Sequence, residues 1–163
     1  MKTVISHSVA ETEKIAQVWL AEMVATPAND SQAVVVGLYG NLGSGKTTFT
    51  QDVARALGIK ETITSPTFVI MKRYEINGSR FKYLVHIDAY RLEKSADFDA
   101  LNLKDTMNDP YNLILIEWAE NVEDALPSNM QKIGFEYLNE TDRKLYFDLC
   151  FIFFTEQIRQ HLA

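Results

Sequence analysis

The chain has 163 residues, 47% apolar and 23% charged, with 22 acidic against 16 basic residues and a net charge of −6. That length and mix point to one folded domain and exclude a disordered chain, while the acidic balance disfavours unaided binding to nucleic-acid phosphates. The lone Cys150 excludes an internal disulfide and a cysteine-built metal site; with no apolar run of membrane-spanning length and no signal-peptide core at the N-terminus, a reduced cytoplasm is expected.

Ser8-Val9-Ala10-Glu11 fits a capping box, and Ile15, Trp19 and Met23 follow at i+4 spacing. A first helix is predicted over about residues 9 to 25, with a turn at residues 26 to 31. His7, alone in a polar segment, is read as solvated. Val34 to Tyr39 is a β-branched, apolar run of the length of a buried parallel strand.

Directly after it comes Gly40-Asn41-Leu42-Gly43-Ser44-Gly45-Lys46-Thr47, a complete G-x-x-x-x-G-K-[ST] phosphate loop, followed by Thr48. Glycines let such a loop turn tightly and aim successive N–H groups at an anion, at a helix N-terminus whose dipole already favours negative charge. Lys46 is then a mobile cation for the β and γ phosphates, and Thr47 an oxygen for Mg²⁺. Phe49, Val53 and Leu57 continue at helical spacing, and Gly58 closes the helix.

Thr64-Ser65-Pro66-Thr67-Phe68 is a hydroxyl-rich loop, either an ordinary turn or a segment that senses the γ-phosphate. Phe68 to Met71 and Phe81 to Ile87 flank Asn77-Gly78, which predicts a hairpin with a type I′ turn. The second arm runs into His86-Ile87-Asp88-Ala89-Tyr90-Arg91, placing Asp88 at a strand end where it could act on metal or water. Residues 95 to 109, acidic at Asp97, Asp99, Asp105 and Asp109, read as one helix plus a loop with solvated carboxylates.

Leu113-Ile114-Leu115-Ile116-Glu117 has the form of a Walker B strand, four apolar residues and an acid at the C-terminal edge, with glutamate in place of the commoner aspartate. Trp118 follows, as packing or as a wall of the site. Two further strands are predicted, Ile133 to Leu138 and Lys144 to Phe154, the latter ending in an apolar run at residues 149 to 154 read as buried. A short helix is expected at residues 156 to 162. The fold class is α/β, with a mixed, mainly parallel sheet flanked by helices and antiparallel hairpin additions.

Taken together, residues 40 to 48, Ser65-Pro66-Thr67-Phe68, His86-x-Asp88-x-Tyr90-Arg91-Leu92 and Ile116-Glu117-Trp118-x-Glu120 resemble the bacterial TsaE family over about residues 5 to 125. The resemblance implies a P-loop ATPase of the machinery that makes threonylcarbamoyladenosine at position 37 of tRNA. It implies docking on a complex of TsaB-like and TsaD-like proteins, tRNA contacted only indirectly, and an ATP cycle that permits repeated turnover without itself transferring the group. It implies ATP and Mg²⁺ as cofactors and a phosphate site from Asn41 to Thr48 together with Trp118. Thr47 and Glu117 would stand at the metal, Asp88 and Glu117 would be the catalytic acids, and Thr64, Ser65, Thr67, His86, Tyr90 and Arg91 would couple the site to partners. Asn41 stands where that family usually has aspartate, and the run at residues 149 to 154 is unusually apolar for the family's C-terminal end.

Two other readings compete. A small-molecule kinase shares strand, loop and helix but needs a cationic lid and an acceptor pocket, and after Arg91 only Arg143 and Arg159 remain, far apart in sequence. A nucleotide-binding module without hydrolysis would not need both Asp88 and Glu117.

Overall fold

A computed structural model describes residues 1–25, 31–66, 69–92, 95–101 and 103–148. The expectations for residues 26–30, for Thr67 and Phe68, for Cys150 with the apolar run at 149–154, and for the helix at 156–162 lie outside the described residues.

Seven strands form one sheet in the order β1-β7-β6-β2-β5-β4-β3 among the described residues. They are β1 Lys2–Ser6, β2 Val34–Tyr39, β3 Met71–Glu75, β4 Tyr83–Asp88, β5 Asn112–Glu117, β6 Gln131–Tyr137 and β7 Arg143–Phe147. The central β6, β2, β5 and β4 are parallel, and β3, β7 and β1 add antiparallel margins, as the α/β reading requires. Every residue of β5 is buried, which is why four apolar side chains in succession make a strand here and not an amphipathic element.

Helices α1 (Val9–Ala25) and α2 (Lys46–Ala56) cover one face. Glu11 N–H donates to the Ser8 hydroxyl at 3.2 Å as the capping box predicts, but the Glu11 carboxylate reaches back to His7 N–H at 2.7 Å. Gly58 sits at φ +78° past the end of α2. Its N–H bonds Arg55 O and that of Ile59 bonds Ala54 O, a Schellman ending. Trp19 of α1, Phe49 of α2 and Phe135 of β6 stack edge to face with centroids 5.5 Å apart, and fully buried rings of this size contribute about 2–3 kcal/mol each. On the other face Val35, Val85, Ile87, Ile114 and Ile116 meet Phe98, Leu103 and Val122. Here the acidic segment forms two short helices, α3 (Ser95–Asp99) and α4 (Lys104–Met107), and not one. The break lets both Phe98 and Leu103 reach the core, while Asp97, Asp99 and Asp105 are exposed as expected.

The β3–β4 hairpin is antiparallel, but its turn is not the predicted type I′. Glu75 pairs with Tyr83 and Ile76 N–H bonds Lys82 O, so residues 77–81 form the loop; Gly78 has positive φ and Asn77 does not. Tyr74, Ile76 and Phe81 are all buried, and that packing overrides the local turn signal.

Candidate nucleotide-binding site

Strand parity decides which side chains reach the site. Leu113 and Leu115 of β5 and Leu84 of β4 belong to the core under α1 and α2, so the residues continuing those rows, Glu117, His86 and Asp88, face the start of α2. Asp88 and Glu117 are register partners at the C-terminal ends of neighbouring parallel strands. Both are almost fully buried.

The phosphate loop spans from β2 to α2. Gly45 is the N-cap of α2 at φ +109° with no side-chain cap, which leaves the first amides of the helix available to an anion. Gly40 stands at φ +137°, where a Cβ would lie 2.3 Å from Phe135 O; only glycine fits between β2 and β6. The Lys46 ammonium is turned back on the loop. It donates to Gly40 O and, at 3.0 Å, to Asn41 O, and lies 3.9 Å from the centroid of the Trp118 ring. Burial pulls its pKa below the ordinary lysine value, opposed by the charges of Glu117, Glu120 and Asp88.

The Thr47 hydroxyl donates to Glu117 Oε2 at 2.7 Å, while His86 Nε2 lies 2.8 Å from Glu117 Oε1. Asp88 Oδ2 accepts from the Ser65 hydroxyl, and its Oδ1 from Tyr90 N–H at 2.9 Å. Ala89 N–H bonds Glu117 O, and Asn121 Nδ2 bonds Ala89 O, so the strand ends carrying the two acids are tied together. Trp118 is in the left-handed region at φ +57° and meets the Tyr90 ring at 5.0 Å between centroids. Ile70, a β-branched residue at φ +66°, is held by Asp88 N–H on its carbonyl.

These groups open into a cleft of about 640 Å³ that Gly43, Ser44, Gly45, Lys46, Thr47, Thr48 and Leu42 line together with Ser65, Asp88, Tyr90, Glu117 and Trp118. Its far wall comes from Ser8, Val9 and Thr12 at the start of α1 and from Glu140, Thr141 and Arg143 between β6 and β7. Asn139 Oδ1 accepts from Thr141 N–H, Thr141 Oγ1 and Asp142 N–H, and Arg143 Nη1 donates to Asn139 O and Asp142 O, which fixes this turn. His7 Nδ1 lies 3.2 Å from Asp142 and so joins the two parts of the wall, although the histidine is mostly exposed as expected.

Among the described residues no group of three or more His, Cys, Asp or Glu side chains converges on a metal position. The oxygens of Thr47 and Glu117 suit Mg²⁺, which is usually bound by one or two protein oxygens together with phosphate and water.

The family model described as "Threonylcarbamoyl adenosine biosynthesis protein TsaE" matches residues 6–145. The chain belongs to the TsaE family. It is 34% identical to the tRNA threonylcarbamoyladenosine biosynthesis protein TsaE of Bacillus subtilis over 137 residues, covering 84% of this chain and 78% of that one. The protein of the same name from Rickettsia bellii is 30% identical over 140 residues, 85% of this chain and 89% of that one. The crystal structure of Bacillus subtilis YdiB superposes with a TM-score of 0.71 at 27% identity, covering 99% and 96% of the two chains. The match to the TsaE model continues past the last recognised motif and through β6 into β7.

In this TsaE family member the residues expected at the phosphates line the cleft except Asn41, whose side chain is exposed and whose carbonyl receives Lys46. Of the residues expected to couple to partners, Ser65 and Tyr90 line the cleft, whereas Thr64 is exposed and receives the Lys72 ammonium at 3.0 Å. Arg91 is exposed and outside the lining residues, and His86 is fully buried against Glu117. The far wall was not foreseen. Arg143, distant from the motifs in sequence, reaches the cleft because β7 folds back beside β6, and no local pattern signals that return.

Proposed function

We propose that this chain is a single Mg²⁺-dependent ATPase domain that supports tRNA threonylcarbamoyladenosine formation from the cytoplasm. The observation that carries the reading is the 2.7 Å contact between Thr47 and Glu117, which sets a hydroxyl and a carboxylate suited to a divalent cation side by side at the N-terminus of α2, inside a cleft of about 640 Å³. The names of the TsaE relatives supply the pathway, and the phosphate loop supplies the nucleotide.

ATP entering the cleft meets the amides of residues 43–48. Lys46 exchanges its bonds to Gly40 O and Asn41 O for phosphate oxygens, a stronger charge-assisted contact. Thr47 and Glu117 would hold Mg²⁺, which would supply neutralisation of phosphate charge. Asp88, held at both oxygens by Ser65 and Tyr90, orients the attacking water and takes up its proton. Trp118 and Tyr90 limit water entry at the γ end, and the far wall takes the nucleoside.

Hydrolysis by the isolated chain is slow in this reading, because among the described residues the arginine that lines the cleft, Arg143, belongs to the far wall and not to the phosphate-loop side, and docking on a TsaB–TsaD-like complex accelerates it by closing the segment around Ser65. tRNA is met through that complex, consistent with the chain's net negative charge. The test is to mix the three purified components and follow ADP release together with complex formation by size exclusion. Association with faster hydrolysis is expected. No association in any nucleotide state defeats the partner assignment, and absence of ADP formation under every condition defeats the ATPase assignment.

A further inference from the structure

The acid that ends the strand beside a phosphate loop is usually aspartate. Glu117 carries one more methylene and one more torsion, so its carboxylate can swing unless something holds it. His86 is placed to do so. It sits two residues before Asp88 in the row that points toward α2, pairs across the sheet with Leu115, and is fully buried. No face of it is available to solvent, and it does not line the cleft. Its Nε2 lies 2.8 Å from Glu117 Oε1, while the other oxygen of the same carboxylate takes the Thr47 hydroxyl.

An ionised carboxylate only accepts, so the hydrogen-bond network assigns the hydrogen to His86 Nε2. The second ring nitrogen, Nδ1, is buried and has no hydrogen-bond partner among the described residues. A leucine would fill this space between Leu84 and the strand end with no buried polar atom left over. The imidazole is therefore not explained by packing, and its contact with Glu117 is the feature that distinguishes it from an apolar residue.

We propose that His86 is a positioning residue. By donating to Oε1 it fixes the terminal torsion of Glu117, so that Oε2 alone is presented to Thr47 and to a divalent cation, and the glutamate acts through one oxygen. The inference rests on the ATP–Mg²⁺ reading of the cleft. It also moves His86 from the partner-facing role that the family resemblance implies to the interior of the site.

The experiment measures binding of a non-hydrolysable ATP analogue to the full chain by calorimetry, with and without Mg²⁺, for the wild type, His86→Leu and His86→Gln, with thermal melting as the check on folding. Mg²⁺ tightens wild-type binding. In His86→Leu about 10- to 100-fold of that tightening is lost, a typical effect of removing a group that orients a metal ligand, while Mg²⁺-free binding changes far less. His86→Gln, which can offer an amide N–H to Oε1, recovers most of the difference. A Mg²⁺ enhancement in His86→Leu equal to that of the wild type overturns the proposal, and so does an equal loss with and without the ion. If the wild type binds the analogue but shows no Mg²⁺ effect, the metal reading fails and the proposal with it; if it does not bind at all, the nucleotide reading fails first. Should neither variant fold, the wild type labelled with ¹⁵N-histidine decides the matter. The Nε2–H signal of His86 shifts when Mg²⁺ joins the nucleotide complex, and an unshifted signal overturns the proposal.

Discussion

Asp88 and Glu117 stand opposite each other in register across β4 and β5, yet they are held by different parts of the chain. Glu117 is gripped by the helix and the neighbouring strand, through Thr47 and His86, whereas Asp88 is gripped by the loop residue Ser65 and the backbone of Tyr90. The first set lies on a helix and a strand and the second on connecting segments, which suits the proposed pairing of a metal-side acid with a water-side acid that responds to loop closure.

Substituting either acid by its amide keeps shape and deletes charge. Glu117→Gln and Asp88→Asn therefore retain nucleotide and slow ADP formation by about 100-fold or more in single-turnover assays. Wild-type rates in both variants would place the catalytic acid elsewhere.

Lys46→Ala removes the phosphate counter-charge and leaves the core intact, because the ammonium bonds loop carbonyls and an aromatic ring. Nucleotide affinity falls about 100-fold, corresponding to the ~2–3 kcal/mol of a charged hydrogen bond. The melting temperature moves by only a few degrees. Titration calorimetry on the folded variant checks both statements, and unchanged affinity would remove Lys46 from the site.

Trp118 reports the same movement optically. Its ring carries the Lys46 ammonium in the present arrangement, and the other tryptophan, Trp19, is fully buried in the core. Nucleotide binding draws the cation away and changes the emission, and Trp118→Phe abolishes that change while leaving the Trp19 signal. A nucleotide-induced change that persists in Trp118→Phe would place its source at Trp19.

Gly40→Ala forces a Cβ against Phe135 O at a φ that side chains rarely adopt. The variant is destabilised by about 2–4 kcal/mol, or the loop shifts and phosphate affinity is lost. Chemical denaturation and nucleotide titration separate the two outcomes, and a stable, fully binding variant contradicts the contact.

Asp52 of α2 is fully buried against Arg55, and burial pushes its pKa up to about 6, with Arg55 opposing the shift and Glu13 adding to it. The folded chain thus holds this proton more tightly than the unfolded chain, whose carboxyl titrates near 4. Stability from this group is fully present below about pH 4, falls as the pH rises to about 6, and stays lower above that by at most ~3 kcal/mol. Asp52→Asn flattens this descent in urea-denaturation profiles recorded across that range; an unchanged slope in Asp52→Asn would assign the effect to another group.

What the sequence makes legible is what short-range chemistry encodes. The run from Val34 to Gly58 and the strand ending at Glu117 are readable because β-branched stretches, glycines and helical spacing each act within a few residues. The turn at Asn77-Gly78 misleads because Tyr74, Ile76 and Phe81 set the hairpin register by burial against distant helices. Arg143, Thr141 and Ser8 are invisible as site residues, since nothing near them in sequence records that β7 pairs with both β6 and β1.

That pairing also governs how the molecule comes into being. Lys2 stands in register opposite Phe147, so one margin of the sheet joins an early and a late segment of the chain. During synthesis the phosphate loop and both acids emerge well before the partner of the first strand does, and β2 waits with one edge uncovered until β6 arrives. Contacts between such distant segments are slow to form, because the intervening loop must close first. The nascent chain thus carries Asp88 and Glu117 before it has a pocket to put them in, and a ligand of the cleft can stabilise only the molecule whose last described strand has already come home.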